Sequence, residues 1–208
     1  MQAVTAAVGI GVITKSGKLA EGVSDVGKQI GKNSREKLEE FITKSLQDKL
    51  EIINNHWQVK YPDVFTRGSF FEDLMGVYRY KKADGWYHTG DISFNVKGVD
   101  FYKGTRQGKD IFADIVVSMK TTIKTDVNEW LKYKSIQDNI KFLREGKSSK
   151  GMIDPNNKLT MYINSAEIHI FMQKTNITSE LKTNWMNKLN AEYPDIKFEI
   201  KAIEDFIN

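Results

Sequence analysis

Two stretches of alternating residues, joined by a turn rich in glycine and charge, constrain this chain more than any other part of it. In the second stretch Ile115, Val117 and Met119 fall on one face of a strand, and Val116, Ser118 and Lys120 on the other. In the first, Asp100 interrupts the apolar and aromatic run of Val99, Phe101 and Tyr102. An acid inside one strand and a lysine inside its neighbour can meet across the pair. Any fold that keeps Gly98–Thr122 in its sheet therefore brings ionisable groups toward one place.

The remaining segments supply elements to cover such a sheet. Residues 2–33 carry six of the fifteen glycines and read as a linker or approach segment, 1–33, ahead of a domain over 34–208. Asn33 with Glu36 forms a capping-box pattern, and Leu38, Phe41, Ile42, Leu46, Leu50 and Ile53 then recur at helical spacing, predicting a helix over 34–54. A second helix is expected from Ser69 to about Lys81, carrying Phe70, Phe71, Leu74 and Met75. Asp84-Gly85 signals a turn before a strand over Trp86–Val96, and the apolar parity shifts at Lys97-Gly98. After the central strands, Asp126 can cap a helix whose Trp130, Tyr133, Ile136, Ile140 and Leu143 share a stripe. A loop over Glu145–Lys158, a strand over Leu159–Gln173, a helix over Ser179–Leu189 and a strand over Ile196–Ile203 complete the chain, with a short helical turn after them. The order predicts an α/β (α+β) domain: a central mixed sheet flanked by helices.

Composition narrows the function classes. Of 208 residues 40% are hydrophobic and 28% charged, the balance of a globular chain. The formal net charge of +4 leans toward an anionic partner, although 31 basic residues are nearly offset by 27 acidic ones. With no cysteine, disulfides and thiolate zinc sites are excluded. The longest apolar run, Ala3–Ile13, has eleven residues, short of the roughly 20 that cross a bilayer. Three dispersed histidines make no short metal spacing, and no nucleophile elbow, phosphate-binding loop or dinucleotide fingerprint occurs.

Glu72, Asp100, Ser118 and Lys120 are the side chains that could carry chemistry. Phosphodiester hydrolysis needs carboxylates to hold a divalent cation, a base or cation to position the attacking water, and positive charge for the phosphorane. Glu72 and Asp100 offer oxygen ligands suited to Mg²⁺ or Mn²⁺. Lys120 could orient the water, with Ser118 assisting from the same strand face. Other readings compete. Ser69-x-x-Glu72 is itself a capping box, Asp100 could pair with Lys97 or Lys103, and Lys120 could be a solvated strand end. Asp91 could be the ligand in place of Asp100, and His88 could reach the site from the adjoining strand. Strict alternation puts Asp114 on the face of Ser118 and Lys120, but about 20 Å from Lys120 along the strand. Asp73 points about 100° away from Glu72 around the helix.

A helix with Glu72 in SFFEDLMGVYRY, a strand with Asp100 in KGVDFYKG, and a strand with Ser118-Met119-Lys120 in DIVVSMKTT together resemble the PD-(D/E)xK nuclease superfamily, the restriction-endonuclease-like fold. The likeness covers about residues 66–145. Val99 stands where proline precedes the aspartate, and Ser118 stands where a second acid is expected. This Glu–Asp–Ser–Lys version is similar to nuclease domains at the C-terminal ends of bacterial contact-dependent and other polymorphic toxins. The resemblance implies a metal-dependent DNase using Mg²⁺, or else Mn²⁺ or Zn²⁺. It also implies export as the C-terminal part of a larger protein, action in the target-cell cytoplasm, and neutralisation by an immunity protein. A housekeeping restriction or repair nuclease of the same fold is the rival within enzymes; a non-catalytic basic nucleic-acid-binding domain is the rival outside them. For DNA, Lys97, Lys103, Arg106 and Lys124 are the expected phosphate contacts, with Lys109, Arg67 and Arg79 nearby and Trp86, Tyr87, Phe101 and Tyr102 able to stack on bases.

Overall fold

The computed structural model describes residues 36–58, 64–92, 96–154 and 158–207. The glycine-rich segment 1–33, the Asn33 cap and Phe94 of the expected strand lie outside the described residues.

A side-chain cap divides the first helical stretch. The expected helix over 34–54 is two, α1 at residues 36–43 and α2 at Leu46–Trp57. Ser45 breaks them apart: its backbone is extended and its Oγ accepts the Asp48 N–H at 3.2 Å, starting a new helix instead of continuing the old one. Helix α3 spans Val64–Tyr78 rather than starting at Ser69. Ser69 is thus an interior residue, the Ser69–Glu72 capping box is not at a helix start, and Glu72 is released for another partner.

The strand expected over Trp86–Val96 shrinks to β1, Tyr87–His88, followed by a 3₁₀ turn over Thr89–Asp91. Thr89 turns the chain by bonding backward onto the next strand. Its hydroxyl donates to Val99 O at 2.7 Å and its N–H to Asp100 O at 2.9 Å. Strands β2 (Phe101–Gln107) and β3 (Asp110–Thr121) are the expected pair. The helix expected after Asp126 is again two, α4 (Val127–Leu131) and α5 (Lys134–Gly146). Tyr133, at the break, is half exposed, whereas Trp130, Ile136, Ile140 and Leu143 are buried as a stripe. A two-residue strand β4 (Met152–Ile153) lies within the expected loop. Strand β5 (Thr160–Met172), helix α6 (Ser179–Glu192) and strand β6 (Lys197–Ala202) follow, then a closing 3₁₀ turn over Ile203–Phe206.

The six strands form one mixed sheet in the order β1-β2-β3-β5-β4, with β6 also paired to β5. β1–β2, β2–β3 and β4–β5 are antiparallel; β3–β5 and β5–β6 are parallel, their crossovers made by α4–α5 and by α6. Each sheet face buries its own core. Val116, Ile168 and Ile170 pack with Trp130, Leu143 and Trp185 of α4, α5 and α6. On the other face Val117, Met119, Phe101 and Phe171 pack with Phe71, Leu74 and Met75 of α3. The alternation of Val116, Ser118 and Lys120 against Val117 and Met119 is therefore realised in the sheet.

It is not realised further back along β3. The β2–β3 register slips between the pairs Lys103–Ile115 and Gly104–Ala113, leaving Asp114 as the extra residue of a bulge. Gly104 permits this close approach, because a Cβ there would lie 2.1 Å from Phe112 O. Ile111 and Ala113 consequently pack in the same core as Val116. Asp114 is exposed and off the Ser118–Lys120 face, which corrects the expectation from strict alternation.

Candidate active site

Asp100 sits one residue before β2, where the ladder to β3 opens. Its N–H still donates to Val117 O at 2.9 Å, but the next ladder position is taken by its side chain, whose Oδ2 accepts the Met119 N–H at 2.6 Å. The carboxylate is thereby held near the plane of the sheet. Lys120 approaches from the α4–α6 face and curls back. Its Nζ donates to Met119 O at 2.9 Å and lies 3.5 Å from Asp100 Oδ2. The pairing of an acid with a lysine across neighbouring strands is formed.

Glu72 comes from α3, on the opposite face, and its closest partner is His88: Nε2 donates to Oε1 at 2.6 Å. His88 belongs to β1 and packs its ring on Phe101, 4.9 Å between centroids. The Glu72 charge acts on Asp100. The side chains of Glu72, His88, Asp100 and Lys120 are each about a fifth exposed, between 17% and 22%, so solvent or a ligand can reach them.

Electrostatics tie these groups together. Burial holds the Asp100 carboxyl above its ordinary pKa, and the Glu72 charge adds to the rise, while Lys120, the Met119 N–H and His88 oppose it. Burial disfavours a charged His88 imidazole, but the hydrogen bond to Glu72 and the nearby carboxylates of Glu72, Asp100 and Asp73 outweigh it and raise its pKa. Asp73, read from helix geometry as pointing away, belongs to the same field. Burial, then the Glu72 charge, pushes its pKa up to about 7, partly offset by His88.

Ser118 is fully buried, and its Oγ has no hydrogen-bond partner among the described residues. It stands opposite Ile168, as Lys120 stands opposite Ile170, so both side chains face the α4–α6 core. Asp91, the rival ligand, ends the 3₁₀ turn after β1 and is exposed, and its charge adds to the rise that burial causes in the Tyr102 pKa.

Among the described residues no three histidine, aspartate or glutamate side chains converge tightly enough to form a ready-made metal centre. The donor set still fits a hard cation. Mg²⁺ is ordinarily held by one or two carboxylates, with waters and substrate phosphates completing its shell. Glu72 Oε2 and Asp100 Oδ1 have no hydrogen bond among the described residues. A cation held by these two carboxylates would offset the rise in the Asp100 pKa that burial and the Glu72 charge cause.

The expected phosphate contacts are dispersed. Lys103 lies over the Trp86 ring at 4.9 Å, while Lys97 lies over Phe142 of α5 at 4.2 Å. Arg106, near the β2–β3 turn, donates to Gly108 O at 2.9 Å. The Lys124 backbone N–H bonds Thr122 Oγ1, just past the end of β3. Arg67 and Arg79 are absorbed by the fold: Arg67 is buried beside Trp57, and Arg79 pairs with Glu199 and lies over Phe206. His169, which alternates with Ile168 and Ile170 along β5, is buried. Its Nδ1 accepts from Tyr80 Oη at 2.5 Å and its Nε2 donates to Glu167 at 2.7 Å. That tautomer follows because Glu167, its pKa drawn down to about 2 by the His169 and Lys197 hydrogen bonds against the effect of burial, can only accept. The alternation Glu167, His169 against Ile168, Ile170 was the signal for this network.

Among the described residues no helix is long and apolar enough to cross a membrane. Comparisons of the chain with protein-family models, with curated proteins and with solved structures return no match.

Proposed function

We propose that this chain is a metal-dependent endonuclease of restriction-endonuclease-like fold that hydrolyses DNA phosphodiester bonds. The observation that carries the reading is the approach of Lys120 to Asp100 at the opening of the β2–β3 ladder, with Glu72 within electrostatic reach. Glu72 and Asp100 would hold the divalent cation, Mg²⁺ first and Mn²⁺ or Zn²⁺ as alternatives. When bound, the cation supplies Lewis-acid charge against the negative charge that develops on the phosphorane. Lys120 uses one ammonium proton on Met119 O and another toward Asp100, which leaves a third for a water or a phosphate oxygen. Its tether to Asp100 fixes that donor beside the carboxylate, so water and cation are positioned by one rigid strand pair. The Ser118 hydroxyl, buried next to this pair, has capacity for a bound water. Lys97, Lys103, Arg106 and Lys124 would take backbone phosphates.

The likeness to C-terminal toxin domains extends the reading to biology. The domain would be exported as the end of a larger protein, cut DNA in the cytoplasm of a target cell, and be held inactive in the producer by an immunity protein. Incubation with plasmid DNA, with transfer RNA and with a panel of divalent metals tests the enzymatic part. Nicking of plasmid that needs metal and stops with EDTA is expected. Salt-sensitive binding with no cleavage under any metal would replace the nuclease by a basic binding domain.

A further inference from the structure

We propose that His88 is a positioning residue that sets the spacing between the Glu72 and Asp100 carboxylates, so that the two act as one cation-binding pair. The proposal rests on the nuclease reading above and names the device that its metal site would need. Glu72 and Asp100 lie on different elements, a helix on one face of the sheet and the start of a strand, and among the described residues no hydrogen bond joins them. Helix α3 packs through Phe71, Leu74 and Met75, apolar contacts that hold a helix in place but do not orient a carboxylate.

His88 supplies the missing link. Its backbone is in register with Phe101, the residue after Asp100, and the next residue, Thr89, bonds Asp100 O through its N–H and Val99 O through its hydroxyl. The short strand is thereby fastened to the segment that carries Asp100. The ring rests on Phe101 and presents Nε2 to Glu72 Oε1 at 2.6 Å. Holding Oε1 restrains the rotation of the carboxylate and leaves Oε2 as the available donor. Groups that orient a metal-ligating carboxylate in this way typically change metal affinity by about 10–100-fold when removed.

The test is a calorimetric titration of Mn²⁺ into the DNA-free protein, beside plasmid nicking at rising Mn²⁺. His88→Phe keeps a ring against Phe101 and removes the donor; His88→Gln restores an N–H near the place of Nε2. Weakening of Mn²⁺ binding by about 10–100-fold in His88→Phe is expected, with most of it recovered in His88→Gln. Nicking at saturating Mn²⁺ should fall less than the apparent metal affinity. Wild-type affinity in His88→Phe, or no recovery in His88→Gln, overturns the proposal. If His88→Phe does not fold, His88→Gln must still bind Mn²⁺ more tightly than Glu72→Gln; equal loss overturns it too. Absence of both Mn²⁺ binding and nicking in the wild type would instead bring down the nuclease reading, and this proposal with it.

Discussion

Replacing Asp73 by Asn should stabilise the protein at pH 8 and leave it unchanged near pH 4. Asp73 is pushed from an ordinary 3.8 to about 7 by burial and by the Glu72 charge. The folded protein therefore keeps a proton that the unfolded chain releases once the pH passes about 4. Because the folded state binds more protons in this window, stability falls as pH rises from about 4 to about 7 and levels off above. A shift of about three pKa units at about 1.4 kcal/mol each gives a penalty of up to about 4 kcal/mol at pH 8. The attraction of His88 for an ionised Asp73 is part of that balance, so about 2–4 kcal/mol is expected to be regained. Urea denaturation of wild type and Asp73→Asn at pH 4 and pH 8 measures it, the difference between variants cancelling the titrating groups that Asp73 does not touch. A difference that does not change with pH, or a variant less stable than wild type at pH 8, would refute the placement of Asp73 in this field.

Two further substitutions probe the frame and the buried hydroxyl. Gly104→Ala puts a Cβ 2.1 Å from Phe112 O and should cost about 2–3 kcal/mol or more by forcing the bulge open, read as a lowered urea midpoint. Ser118→Ala removes a buried hydroxyl that has no partner among the described residues, so stability should hold or rise by about 1 kcal/mol. Plasmid nicking by the same variant should drop about tenfold; unchanged nicking would confine Ser118 to packing.

The sequence carried the sheet well and the site in part, and particular residues say why. Period-two alternation reports which face a strand residue takes, so the opposed faces of Val117 and Lys120 were legible, as were β5, α6 and β6. Alternation cannot see a bulge whose cause lies on the partner strand. Gly104 sets the register of β3, and Asp114 was misplaced in consequence. Helix periodicity likewise ran through Ser45 and Tyr133, because the apolar stripe continues on both sides of each break. At the site, Lys120 and Asp100 were readable as strand neighbours. His88 was readable as a strand residue within reach of Asp100, but its bond to Glu72 joins a two-residue strand to the middle of a helix sixteen residues earlier, and no periodicity links them. Asp73 was lost to a sound angular argument that ignores charge, which acts across the 100° that separates neighbouring helix positions. Arg67 and Arg79 looked available because a sequence cannot show that aromatic rings and Glu199 engage them.

Nicking of supercoiled plasmid by wild type and Lys120→Ala, side by side with Mg²⁺ or Mn²⁺ and after EDTA, is the most direct trial of the site. Metal-dependent nicking is expected of the wild type, and none of a Lys120→Ala protein whose circular dichroism and melting midpoint are those of the wild type. Undiminished nicking by that folded variant would mean that the Lys120–Asp100 pair is not where the phosphodiester bond is broken.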